Sequence, residues 1–88
     1  MNNYMNSDIN NNTRLHQSFA KGLNIPLEQV SDDLAYNTIP QWDSVAHMGL
    51  VAELERTFAV MFDTDDIIDM SSVTKAREIL QKHGLNFE

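Results

Sequence analysis

The stretch Trp42-Asp43-Ser44-Val45-Ala46-His47-Met48-Gly49-Leu50-Val51-Ala52-Glu53-Leu54-Glu55-Arg56-Thr57-Phe58 decides the fold, because a helix start is followed by apolar residues at helical spacing for about four turns. Asp43 and Ser44 are both favoured N-cap residues, so the spacing predicts a helix beginning near Ser44. At about 100° per residue, Leu50, Leu54 and Phe58 share one stripe, widened by His47 and Val51, while Ala46, Gly49, Glu53, Arg56 and Thr57 lie opposite. The stripe is the core face. Ser44 falls at its margin, with Met48 one turn below it and Val45, Ala52 and Glu55 alongside.

A hydroxyl at a helix N-terminus faces unpaired N–H groups and the positive end of the helix dipole, a setting that suits a phosphoester. Taken alone, an Asp-Ser pair needs no role beyond capping. A glycine inside the same helix, Gly49, costs about 1 kcal/mol relative to alanine, which predicts a close approach there by a partner or another helix.

Upstream, residues 1–12 contain six asparagines, which compete with the backbone for hydrogen bonds. Residues 1–6 are expected to form a frayed tail. A first helix is expected to start at Ser7 or Asp8, with Ile9 its earliest buried residue; a start at Asn12 or Thr13 is the alternative. Leu15, Phe19 and Leu23 recur at i, i+4, i+8, and Gly22 supplies a stop. His16 has no second histidine or carboxylate at a ligating spacing and is assigned to a solvated flank. After the break at Asn24-Ile25-Pro26, a short turn over residues 26–30 points Leu27 and Val30 inward. Residues 31–41 then form a long loop that buries Leu34, Tyr36 and Ile39 across the bundle. Trp42 anchors that loop in the core or meets a partner, and either role holds Ser44 in place.

Downstream, Asp63-Thr64-Asp65-Asp66-Ile67-Ile68-Asp69 has the flavour of a calcium loop. A loop starting at Asp63 needs an oxygen ligand at 67, glycine at 68 and glutamate at 74, where the chain has Ile67, Ile68 and Thr74. The segment instead predicts a short helix capped by Asp63 or Thr64, with Ile67, Ile68 and Met70 as apolar cover. Ser71 or Ser72 caps a last helix whose stripe is Val73, Ala76, Ile79 and Leu80, which Gly84 ends and whose Lys75, Arg77, Gln81 and Lys82 form a solvated face.

These elements predict an all-α fold: a small four-helix bundle of three longer helices and one short one, with a long loop between the first and second. A single domain over residues 7–84 is expected, followed by a tail at 85–88. At 88 residues the chain is near the lower size limit for an unstapled core. The absence of cysteine excludes disulfides and thiolate metal sites, so any thiol chemistry must come from a cofactor. A net charge of −7, from 13 acidic and 6 basic residues, argues against nucleic acid and anionic membranes and in favour of partners with basic surfaces. Neither a membrane-span run nor a signal-peptide pattern is present, which gives the expectation of a cytoplasmic monomer.

From Asp43 to about Leu80 the order of parts resembles the acyl carrier proteins and their peptidyl and aminoacyl carrier relatives, whose Asp-Ser-Leu signature opens the second helix and here reads Asp43-Ser44-Val45. The resemblance implies 4'-phosphopantetheine carried on Ser44, with Asp43 orienting it, placed there by a phosphopantetheinyl transferase that uses Mg2+ only during transfer. It implies no catalytic residue and no resident metal, and an acyl or aminoacyl cargo supplied by a loading ligase, synthase or transferase. The implied partner surface is Val45, Met48, Ala52, Glu53, Glu55, Asp65 and Asp66. The chain departs from fatty-acid-synthesis carriers, with Pro40-Gln41-Trp42 before Asp-Ser and with Ala46 and Gly49 where acidic recognition residues are common. It therefore looks like a specialised stand-alone member serving lipid or specialised biosynthesis, and the tryptophan is similar to that of D-alanyl and aminoacyl carriers. Two other classes stay open: a small hydrolase using Ser44 with His47 as base, and an unmodified helical adaptor docking through Val45, Met48 and Ala52.

Overall fold

Four capped, periodic stretches separated by breaks become four helices. The computed structural model describes residues 10–87. Among them lie α1 (Asn11–Leu23), a 3-10 turn at Leu27–Gln29, α2 (Ser44–Phe58), α3 (Thr64–Asp69) and α4 (Val73–Lys82). The described residues form an all-helical fold as expected, apart from one isolated antiparallel bridge between Ala35 and Ser72. No helix among the described residues is long and apolar enough to cross a membrane.

Asn10 caps α1 by accepting a hydrogen bond from the Thr13 N–H at 2.9 Å. The start expected at Ser7 or Asp8, with Ile9 buried, lies outside the described residues. Leu15, Phe19 and Leu23 are buried as the spacing predicts. Gly22, however, is not the stop. The helix runs on through Leu23 and ends on Asn24, whose left-handed backbone (φ 58) turns the Ile25 N–H back onto the Ala20 carbonyl at 3.0 Å while its own N–H reaches the Lys21 carbonyl at 3.3 Å. Gly22 instead marks the crossing of α1 and α2: a Cβ there would lie 3.0 Å from the Leu50 Cα. A Cβ at Gly49 would meet only the Gly22 carbonyl oxygen, at 3.9 Å. The close helix approach expected at Gly49 is therefore served by Gly22.

The core gathers Leu15, Phe19, Leu23, Leu50, Leu54, Phe58, Val73, Ala76, Ile79 and Leu80 around a fully buried Trp42. Val30 and Leu34 point inward, whereas Leu27 is 47% and Tyr36 39% exposed. On either side of Leu27, Ile25 and Val30 are the buried residues of this segment. The long loop is tied down by backbone bonds: Val73 N–H to the Leu34 carbonyl at 3.0 Å, Tyr36 N–H to Ser71 at 2.9 Å and Thr74 N–H to Asp32 at 3.3 Å. The loop itself stays largely exposed, and Leu34 is the residue it buries.

Lys75, Gln81 and Lys82 are exposed as expected, and several residues assigned to solvated faces are also paired. Arg77 binds Asp32 at 2.6 Å and the Asn12 side chain at 2.8 Å, and with His16 it holds the Asp32 carboxyl below its ordinary value. Asp66 is only 1% exposed and accepts from Lys82 Nζ and His83 Nε2, both at 2.7 Å. These two hydrogen bonds, the Lys82 one larger, lower its pKa from 3.8 to about 2. Asp66 also closes a capping box with Asp63 at the start of α3. Ile68, expected as apolar cover, is 73% exposed, and Met70 supplies the buried contact. After α4, Gly84 turns the chain at φ 97. Residues 85–87 are no loose tail: Leu85 and Phe87 pack against the core, with Phe87 6.0 Å from Phe58, and Asn11 Nδ2 donates to the Asn86 carbonyl at 2.8 Å. Glu88 lies outside the described residues.

Candidate functional site

The entrance to α2 is built by Asp43, whose extended backbone (φ −106, ψ −172) stops the loop and whose carboxylate accepts the Ala46 N–H at 2.8 Å. That leaves Ser44 as the first helical residue, exposed, with its own N–H and that of Val45 in the turn where no intrahelical acceptor exists. Behind it the loop is rigidly held. Trp42 donates its backbone N–H to Ile39 at 3.1 Å and accepts from Asn37 at 3.0 Å, and its ring meets Phe19 edge-on at 5.4 Å. Of the two roles open to Trp42, the core anchor is the one it takes.

His47 connects three elements. The Trp42 indole N–H donates to His47 Nδ1 at 2.9 Å, and His47 Nε2 lies 2.9 Å from the Ile67 carbonyl oxygen in α3. An indole can only donate and a carbonyl can only accept, so the two partners assign the neutral tautomer with hydrogen on Nε2. The ring lies nearly coplanar with Trp42 (17°, centroids 6.0 Å), as the in-plane N–H···N bond between them requires, and Tyr36 stands edge-on to it at 5.6 Å. With both nitrogens engaged, His47 has no lone pair facing Ser44, which removes the serine–histidine pair a hydrolase would need.

Beside Ser44 lies an open groove of about 300 Å³, walled by Tyr36, His47 and Met48 on one side and Ile67, Ile68 and Met70 on the other. Val45 and Met48, both expected at this surface, are 80% and 55% exposed. Ala52 and Asp65 are also exposed. The other acidic residues assigned to that surface are committed elsewhere. Glu53 faces α1, bound to Arg56 at 2.6 Å and Lys21 at 3.8 Å, with the Arg56 bond the main cause that lowers its pKa. Glu55 accepts the Phe62 N–H at 2.9 Å and so fixes the chain after α2, and Asp66 is buried. Ile67, Ile68 and Tyr36 join the site although their sequence positions gave no sign of it. His47 alone carried a signal, a polar residue on an apolar stripe.

Among the described residues no group of three or more His, Asp or Glu side chains is placed to hold a metal ion. No protein-family model and no curated protein sequence matches the chain. The arrangement offers one exposed hydroxyl at a helix entrance, two free N–H groups next to it, and an apolar groove alongside. A helix entrance of this kind can favour an anionic group, and the groove beside it an apolar one.

Proposed function

We propose that the protein is a carrier that holds an acyl or aminoacyl group as a thioester on a 4'-phosphopantetheine arm attached to Ser44. The observation that carries this reading is the exposed Ser44 hydroxyl, one residue inside a helix capped by Asp43 and flanked by an apolar groove. The resemblance of Asp43-Ser44-Val45 and the parts after it to the carrier family supports the same reading. When bound, the arm supplies the thiol that a chain without cysteine lacks.

In the attachment step Ser44 Oγ forms a bond to the phosphorus nearest the pantetheine arm of coenzyme A. The phosphoanhydride bond there breaks, adenosine bisphosphate leaves, and the hydroxyl proton passes to the transferase and then to solvent. Asp43 holds the first turn in register through its bond to the Ala46 N–H, and the positive end of the helix at Ser44 and Val45 would favour the negative charge of a phosphodiester there. Val45 and Met48 give the transferase and the loading enzyme an apolar footing, and the charge of −7 favours enzymes with basic surfaces. The loading enzyme chooses the cargo.

Incubation with coenzyme A, Mg2+ and a broad-specificity phosphopantetheinyl transferase tests the proposal by intact mass. The expected result is one added arm, absent in Ser44→Ala. No added mass on a folded protein, or an added mass that survives Ser44→Ala, overturns it. An unmodified adaptor docking through the exposed Val45, Met48 and Ala52 would give the first of these results.

A further inference from the structure

The hydrogen bonds of His47 cross the candidate site from one wall to the other. On one side Trp42 belongs to the loop that leads into Asp43 and Ser44, and on the other Ile67 belongs to α3. The Ile67 carbonyl lies in the last turns of a six-residue helix, where no further helical N–H follows to take it. Ser71, four residues on, gives its N–H to Asp69 instead, at 2.8 Å. The histidine therefore satisfies an orphan carbonyl and an indole N–H at once, and both of those groups would pay a desolvation cost if left alone. The exposed apolar side chains around Ser44 come from both elements that it joins: Val45 and Met48 from α2, Ile68 from α3.

We infer that His47 is a positioning residue for arm attachment: by bridging Trp42 and Ile67 it fixes α3 relative to the α2 entrance, so that Ser44 and the apolar side chains beside it form one continuous footing for the transferase. The inference rests on the carrier reading and adds a residue to it. Ordering this surface before encounter lowers the cost of docking, and it leaves the chemistry at Ser44 Oγ alone. Losing the bridge should raise KM for the protein as transferase substrate and spare kcat, the signature of binding shared by ground and transition states.

The test compares wild type, His47→Met and His47→Gln in steady-state arm transfer from coenzyme A, below the melting transition of each variant as followed by circular dichroism. Methionine fills the space but can bridge nothing, whereas the glutamine amide can accept from the Trp42 indole and donate to the Ile67 carbonyl. The expected result is a KM raised about tenfold in His47→Met with kcat within about twofold of wild type, and a KM restored to within about threefold in His47→Gln. An unchanged KM in His47→Met, a fall confined to kcat, or no rescue by glutamine overturns the inference while leaving the carrier reading intact. A wild-type protein that takes no arm overturns the carrier reading itself. Imidazole 15N shifts of the unmodified protein give a second measurement that needs no variant. A neutral ring protonated on Nε2 is expected, and one protonated on Nδ1 overturns the bridge.

Discussion

The two sides of α2 are held by different physics. Toward α1 close apolar packing dominates: Gly22 lets the Leu50 backbone approach and Leu15, Phe19, Leu50 and Leu54 are buried, with bonds from Arg14 and Ser18 to Thr57 and from Lys21 to Glu53 along its edge. Toward α3 the ties are directional and polar: His47 to the Ile67 carbonyl, Glu55 to the Phe62 N–H, and from α4 and its end Lys82 and His83 to Asp66. Close packing gives a scaffold whose stability scales with buried area and volume. A few polar bonds give a wall whose position can be set, or released, one bond at a time. The candidate site lies on the second side, so the surface around Ser44 can be adjusted while the packed core stays intact.

The sharpest way to break this comparison is to cut each side. Leu54, with no exposed surface, is central to the packed side, and Leu54→Ala is expected to cost about 3 kcal/mol in denaturant unfolding. A cost under about 1 kcal/mol would mean that the seam is loosely packed.

On the polar side, Asp66→Ala removes the acceptor for Lys82 and His83 and is expected to cost about 2 kcal/mol. This side also carries a pH signature. The Asp66 carboxyl is lowered in the folded state from 3.8 to about 2, so its stabilising contribution is complete above 3.8 and is lost as the pH falls through about 2. Acid titration of stability should therefore be flatter in Asp66→Ala than in wild type over that window. An identical slope in the two proteins would show that the cluster contributes nothing through its charge.

The smallest effects separate the two glycines of the seam. Gly22→Ala would press a Cβ onto the Leu50 Cα, and the strain is expected to exceed the helix-propensity gain by about 1 kcal/mol. Gly49→Ala meets only ordinary van der Waals contact and is expected to raise stability by up to about 1 kcal/mol. Equal signs for the two substitutions, read from melting temperatures, would remove Gly22 from its place as the crossing point.

Much of the scaffold was legible in the chain. The stripes Leu15-Phe19-Leu23 and Val73-Ala76-Ile79-Leu80 stand where spacing places them, and the caps, left open between Asp43 and Ser44, Asp63 and Thr64, and Ser71 and Ser72, fall on Asp43, Asp63 and Ser72. Periodicity and capping are relations between residues within about four positions of each other, so a linear reading can reach them. The exposed position of Ser44 was legible for the same reason.

Only tertiary structure decided which polar groups face water. Asp66 and His83 are 17 residues apart, and Arg77 and Asp32 are 45 apart, so neither bond has a local signature. A carboxylate or guanidinium is exposed by default, and a partner from a distant element is what makes its burial tolerable. His47 belongs to the same class: its place on an apolar stripe was visible, but the indole and the carbonyl that give it a purpose were brought to it by folding. The one-dimensional order of residues set the rods and their apolar faces, and the packing of those rods set the groove beside Ser44.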